Sequence, residues 1–171
     1  MNRIVVFVLS LVASVCIVSC ASQEERAAQK AETVKNVTAA LNTRKYTIDV
    51  RRMTTSKGYS KSVSGYSLVV RNDSLISSLP YVGRAFSAPY GGGVGLGFSA
   101  PISSYNETTK KNGLREINIK VKNDEDSYSY RLQIFDNGST SIDVQPIQRD
   151  PISFTGDMIF NSKTQSSVFS W

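Results

Sequence analysis

From Lys45 onward the sequence changes side every residue, and that alternation limits the fold more than any other feature. In "EINIKVK", Ile117, Ile119 and Val121 point one way while Glu116, Asn118, Lys120 and Lys122 point the other. "YSYRLQIF" repeats the pattern with Tyr128, Tyr130, Leu132 and Ile134, and so do Tyr46, Ile48 and Val50, and Tyr66, Leu68 and Val70. Ile142 with Val144, Ile152 with Phe154, and Met158 with Phe160 extend it towards the C-terminus. Successive side chains of a strand face opposite sides of a sheet, so such segments read as antiparallel strands with one face buried and one wet. The connectors agree: "RNDS" (Arg71 to Ser74), "KNDEDS" and "DNGS" (Asp136 to Ser139) are turn sequences. The last carries the Asn-Gly pair favoured in two-residue hairpins. The pattern predicts an all-β domain over residues 45–171, an antiparallel meander of seven to nine strands. A curled sheet, an open barrel and a small sandwich all satisfy it.

One helix precedes the strands. "SQEERAAQKAETVKNVTAAL" places Ala27, Ala31, Val34, Val37 and Leu41 on one face at three- and four-residue spacing, which predicts a helix from about Gln23 to Asn42. Ser22 and Glu25 form a capping-box pair at its start. The stripe is mostly alanine and packs weakly, so the helix serves either as a stalk or as a cover docked on the sheet. Upstream, residues 1–19 carry one positive charge, Arg3, and a short apolar run, the make-up of a secretory signal. They end in "IVSC", Ile17 to Cys20, which resembles the lipobox of bacterial lipoproteins. That resemblance implies diacylation at Cys20, residues 20–44 as a lipid-anchored tether and helix, and a place in the cell envelope as an outer-membrane lipoprotein facing the periplasm or the surface. The partner so implied is the membrane, reached through Cys20.

The sequence contains no histidine, and of its two cysteines Cys16 lies within the signal. Ser-His-Asp and Cys-His triads, histidine-ligated zinc and a histidine pH switch are therefore excluded. With Cys20 acylated, thiolate chemistry is excluded too. The formal charge of +6 invites a nucleic-acid reading, but the cations are scattered and form no basic helix or run, so no nucleic-acid partner is expected. The acids lie in turns or on outward strand faces, and none forms a recognisable pair. "NDED", Asn123 to Asp126, lacks the glycine hinge and distal glutamate of a calcium loop and reads as a solvated hairpin turn. No metal site, cofactor motif or nucleophile elbow is present, and an enzyme is not expected.

The least ordinary stretch is "LPYVGRAFSAPYGGGVGLGF", Leu79 to Phe98. Its glycines fit neither GxGxxG nor a P-loop. In "VGLGF", Val94, Leu96 and Phe98 face the core while Gly95 and Gly97 leave the other side bare. Pro80 makes "LPYVGRAF" a bend or edge. The stretch is either a tight corner covering the core or a shallow aromatic groove, with Tyr81, Arg84, Phe86 and Tyr90 as candidate ligand-binding residues for an envelope protein or a glycan. A carboxylate-dependent glycan hydrolase and a structural subunit of an outer-membrane assembly are the alternatives.

"LPYVGRAF", the Tyr90–Gly93 turn, the Ile117-x-Ile119-x-Val121 strand, Tyr130-x-Leu132-x-Ile134-x-x-Asn137-Gly138 and "ISFTG" at Ile152 to Gly156 together resemble DUF4251, a family of Bacteroidetes lipoproteins. The resemblance runs from about Lys45 to Ile159. It implies a secreted or lipid-anchored β-rich domain without an assigned activity, and it places Asp73 to Leu75 within the phylum's short O-glycosylation pattern at Ser74.

Overall fold

A computed structural model describes residues 23–86 and 95–160 of the chain. A helix, α1, occupies residues 23–42. Eight strands follow: β1 (Lys45–Thr55), β2 (Ser60–Arg71), β3 (Ser74–Leu79), β4 (Leu96–Thr109), β5 (Arg115–Lys122), β6 (Ser127–Ile134), β7 (Ser139–Pro146) and β8 (Ile152–Ile159). Each pairs antiparallel with the next, and β8 pairs with β1, so the sheet closes into a barrel. Closure leaves no row of unpaired edge groups between first and last strand, which neither an open sheet nor a sandwich achieves.

The interior holds what the alternation predicts: Ile48, Val50, Leu68, Val70, Leu75, Ile117, Ile119, Leu132, Ile134, Ile142, Val144 and Phe154 are buried. An eight-stranded barrel is just wide enough for such side chains to fill it. The outward positions of β5 to β7 carry Glu116, Lys120, Arg131, Asp143 and Gln145. Apolar inside and polar outside is the inverse of a membrane-spanning barrel, whose apolar band faces lipid. Val69 departs from the pattern. It lies on the outward side yet is buried, in a ladder between Thr47 and Ile76.

Two irregularities bend the barrel. On β1 the register slips between Val50 and Arg52 in both ladders, and Val63, Ser64 and Gly65 of β2 bulge opposite Arg51, with Gly65 at φ 77°. There Gly156 pairs with Val50, and any added Cβ would run into the Asp49 carbonyl. Only glycine allows the two strands this approach. On β4 a second slip falls between Ile102 and Ser104, where its pairing passes from β3 to β5. The "DNGS" hairpin differs from expectation. Gly138 alone has positive φ, at 84°, and Phe135 pairs with Ser139, so the loop has three residues with glycine at the bulge. The two-residue form needs positive φ at both central positions. Phe160, expected on a strand with Met158, lies beyond β8 and is exposed.

Up-and-down winding sorts the connections onto two ends. The near end holds α1 and the β2–β3, β4–β5 and β6–β7 turns. The far end holds the β1–β2, β3–β4, β5–β6 and β7–β8 connections. Only the last turns of α1 dock, burying Val37 and Leu41 against the core with Ala40 partly covered; Ala27, Ala31 and Val34 stay exposed. Arg44, at φ 51°, turns the chain into β1 and lays its guanidinium over the Tyr105 ring, 4.4 Å from the centroid. The Tyr46 and Tyr105 hydroxyls meet at 3.3 Å beside a Glu107–Arg115 ion pair. Ser22, the expected cap of α1, lies outside the described residues.

Candidate functional site

The far end is built from polar groups that tie separate loops together. The turn between β5 and β6 starts at Asn123, whose Oδ1 accepts the N–H groups of Glu125 (3.0 Å) and Asp126 (2.8 Å). That places the Asp126 carboxylate, only 7 % exposed, under the neighbouring loop. It accepts the backbone N–H of Ser127 at 2.7 Å, of Ile147 at 3.1 Å and of Gln148 at 3.0 Å. "NDED" reads from sequence as a solvated hairpin turn; Asp126 corrects this, because three backbone donors offset the cost of taking its carboxylate out of water.

Arg149, 5 % exposed, joins a third loop. Its Nη1 donates to the Gly95 carbonyl and its Nη2 to Glu125 Oε2, each at 3.1 Å, and its guanidinium lies 5.4 Å from the centre of the Tyr81 ring. Planar geometry and several fixed donors let one arginine hold a carbonyl, a carboxylate and a ring together.

The "LPYVGRAF" segment is clamped onto β7–β8 like a fragment of strand. Ala85 bridges to Arg149, the Phe86 N–H donates to Gln148 O at 2.7 Å, and the Asp150 N–H donates to Arg84 O at 3.0 Å. The Tyr81 hydroxyl lies 2.9 Å from the Arg84 carbonyl and 3.2 Å from that of Asp150, both acceptors for its proton. Burial, and then the Asp150 charge, raise the Tyr81 pKa above the usual phenol range. A Cβ on Gly83 would stand 2.6 Å from that hydroxyl, so glycine is required for the staple to close. Asp150 Oδ2 accepts the Arg84 N–H at 3.2 Å and lies 3.5 Å from Arg84 Nε.

With the backbone fixed this way, Val82 (51 % exposed) and Phe86 (66 %) stand in solvent. Tyr59 on the β1–β2 turn and Ile147 on β7–β8 do the same. These are four of the seven large exposed apolar side chains among the described residues; Val34, Phe135 and Phe160 are the others. Between the β1–β2 turn and the clamped segment runs a cleft of about 330 Å³ lined by Thr55, Lys57, Tyr59, Val82, Arg84 and Asp150. A larger hollow of about 600 Å³ lies at the near end between α1 and the β6–β7 turn. Its walls include the exposed Arg26, Gln29 and Lys30 of the outlying half of α1, so it has no fixed frame.

Of the sequence-derived candidates, Tyr81, Arg84 and Phe86 share this loop, with different duties. Tyr81 is a staple whose hydroxyl is engaged by backbone, while Arg84 faces the cleft and Phe86 faces solvent. Tyr90 and Cys20 lie outside the described residues. Val82 and Asp126 lie within the "LPYVGRAF" and "NDED" stretches with nothing there to single them out, and Arg149, Asp150 and Tyr59 carry no local signal, because the contacts of Asp126, Arg149 and Asp150 arise between loops far apart in sequence. No group of three or more cysteine, aspartate or glutamate side chains among the described residues gathers to hold a metal ion.

Comparison with known proteins bears on the whole domain. The model of DUF4251, a domain of unknown function, matches residues 28–158. A solved structure of a DUF4251 family protein from Bacteroides eggerthii superposes with a TM-score of 0.63 at 17 % identity, over 84 % of this chain and 99 % of that one, a likeness of fold. A comparison with curated proteins finds no match.

Proposed function

The chain belongs to the DUF4251 family, whose function is unknown, and on that premise we propose that it is a lipid-anchored protein of the cell envelope that binds a ligand or partner through the far end of its barrel, without catalysis. The observation that carries this reading is the contrast within one loop. Tyr81, Gly83 and Asp150 hold the backbone still, while Val82, Arg84 and Phe86 point away from the fold. Binding costs less when the contact groups are already in place. Among the described residues the cleft holds a single carboxylate, Asp150, and that one is paired with Arg84, which favours binding over carboxylate-pair hydrolysis.

The anchor suits this arrangement. α1 docks at the near end and its first half flanks Asp136 and Asn137 of the β6–β7 turn there. A tether leading from Cys20 into α1 therefore reaches the barrel from the near side and leaves the far end directed away from the membrane. The likeness of Ile17 to Cys20 to a lipobox supports Cys20 as the acylated residue of an outer-membrane lipoprotein.

Two experiments test the reading. Radiolabelled palmitate is expected to label the wild-type chain in cells and not Cys20→Ala; equal labelling of both would remove the anchor. A thermal-shift panel of glycans, short peptides and small organic acids is expected to yield a ligand whose stabilisation reaches about 2.7 kcal/mol at a hundredfold excess over its dissociation constant. That shift should vanish when Tyr59, Val82, Phe86 and Ile147 are all replaced by serine. A shift that survives the replacement would place binding elsewhere.

A further inference from the structure

Resting on the reading of the far end as a binding face, we infer that the cleft between Tyr59 and Val82 takes a small hydrophobic carboxylate, an aryl or alkyl acid of about a dozen non-hydrogen atoms. Size sets the first limit. A volume of about 330 Å³ lies at the lower end of small-molecule sites, too small for a folded partner's surface and sufficient for one ring or a short chain.

Charge sets the second. Tyr59 and Val82 supply apolar walls, and the charged lining is Lys57, Arg84 and Asp150, two cations and one anion. Asp150 is turned inward: its side chain is 14 % exposed and its Oδ2 is held by the Arg84 N–H. The Arg84 side chain is 73 % exposed, and its Nε lies 3.5 Å from Asp150 Oδ2. No other carboxylate among the described residues reaches it. A guanidinium this exposed, beside an apolar wall, matches a ligand carboxylate, which it can meet with a pair of N–H donors. Lys57, on the opposite turn, adds a second positive charge across the cleft. An uncharged sugar could accept hydrogen bonds from both cations but would neutralise neither, and it would leave Val82 against hydroxyl groups.

The test uses the full-length, isotopically labelled chain and 4-phenylbutyrate as the probe, followed by amide chemical shifts. The acid is expected to move the Tyr59, Val82 and Arg84 amides and to bind with a dissociation constant in the millimolar range or below. Its neutral analogue 4-phenylbutan-1-ol should bind at least about tenfold more weakly. Arg84→Gln should erase that difference, and Lys57→Gln, on an exposed turn where folding is not at stake, should reduce it.

Equal affinity for acid and alcohol at these residues would overturn the anion preference while leaving the far end as a binding face. A tripeptide Ala-Ala-Phe bearing a free carboxylate and binding more than about tenfold tighter than the acid would assign the cleft to peptide C-termini instead. Shifts confined to other parts of the barrel, or none at saturating probe, would overturn the inference. The serine variant of the panel above then decides separately whether the far end binds anything else.

Discussion

The two ends of the barrel are closed by different physics. At the near end Val37 and Leu41 of α1 press on the core, where Tyr46 is buried, and the polar groups of Tyr105, Glu107 and Arg115 sit at the margin. Burial of this kind is proportional to area and indifferent to angle, so many apolar residues could do it. At the far end Asp126, Arg149 and Tyr81 bind backbone groups of three loops at fixed distances. Hydrogen bonds are directional, so this closure also dictates loop shape. An end that merely needs covering can be apolar; an end that must present side chains in set positions is held by polar groups and keeps its apolar ones outside.

Breaking the far-end frame should give the largest effect. Asp126→Ala leaves the N–H groups of Ser127 and Gln148 without their acceptor, while Ile147 keeps the Ser127 carbonyl, and should cost about 3 to 4 kcal/mol in urea unfolding, since each buried donor left unpaired costs about 1–3 kcal/mol. Amide exchange should rise across residues 80–86 and 147–150 as well, although neither segment is mutated. If exchange rose only at 123–127, the loops would be independent and the frame would not exist.

The near-end counterpart is Leu41→Ala, expected to cost about 3 kcal/mol as a buried leucine truncation. Its exchange signature should stay within α1 and the core residues it covers. Spread of that signature to residues 147–150 would collapse the distinction between the ends.

Alkaline pH acts between them. Burial raises the pKa of Tyr130 in the middle of the barrel, and burial followed by the neighbouring Tyr105 raises that of Tyr46. An unfolded tyrosine ionises near pH 10, so above that pH the unfolded chain loses protons that the folded chain keeps. The stability these groups contribute is complete below about pH 10 and is lost as pH rises towards their folded values, by about 1.4 kcal/mol per pH unit for each. Tyr130→Phe should reduce that slope by one such increment above pH 10. At neutral pH it should cost only about 1 kcal/mol, for the hydroxyl bond to Ser77. An unchanged alkaline slope would mean that Tyr130 already ionises in the folded barrel.

How far the sequence carried these conclusions follows from the range of each interaction. Strands such as β5 and β6 were legible because one buried face and one wet face write themselves into alternate residues. α1 was legible from its spacing, yet Ala27, Ala31 and Val34 of its stripe are exposed and only Val37 and Leu41 are buried. Closure was not legible: it depends on Val50 meeting Gly156, and no local pattern encodes a pairing between the first strand and the last. The unusual composition around Tyr81 to Phe86 marked the candidate site, but not the division of labour within it. Asp126 and Arg149 look like ordinary turn and surface charges until three loops converge on them.

The central claim is that the far-end apolar side chains are held in position by the fold and contribute nothing to holding it. Its most direct test is the thermal midpoint of the full chain with Tyr59, Val82, Phe86 and Ile147 all changed to serine. Exposed substitutions away from structural features each fall within about 0.5 kcal/mol in either direction, so the four together should amount to about 1 kcal/mol and the midpoint should stay within about 4 °C of the wild type. A fall of about 10 °C or more would mean that these residues close the barrel, and that the far end is a corner of the fold and no binding face.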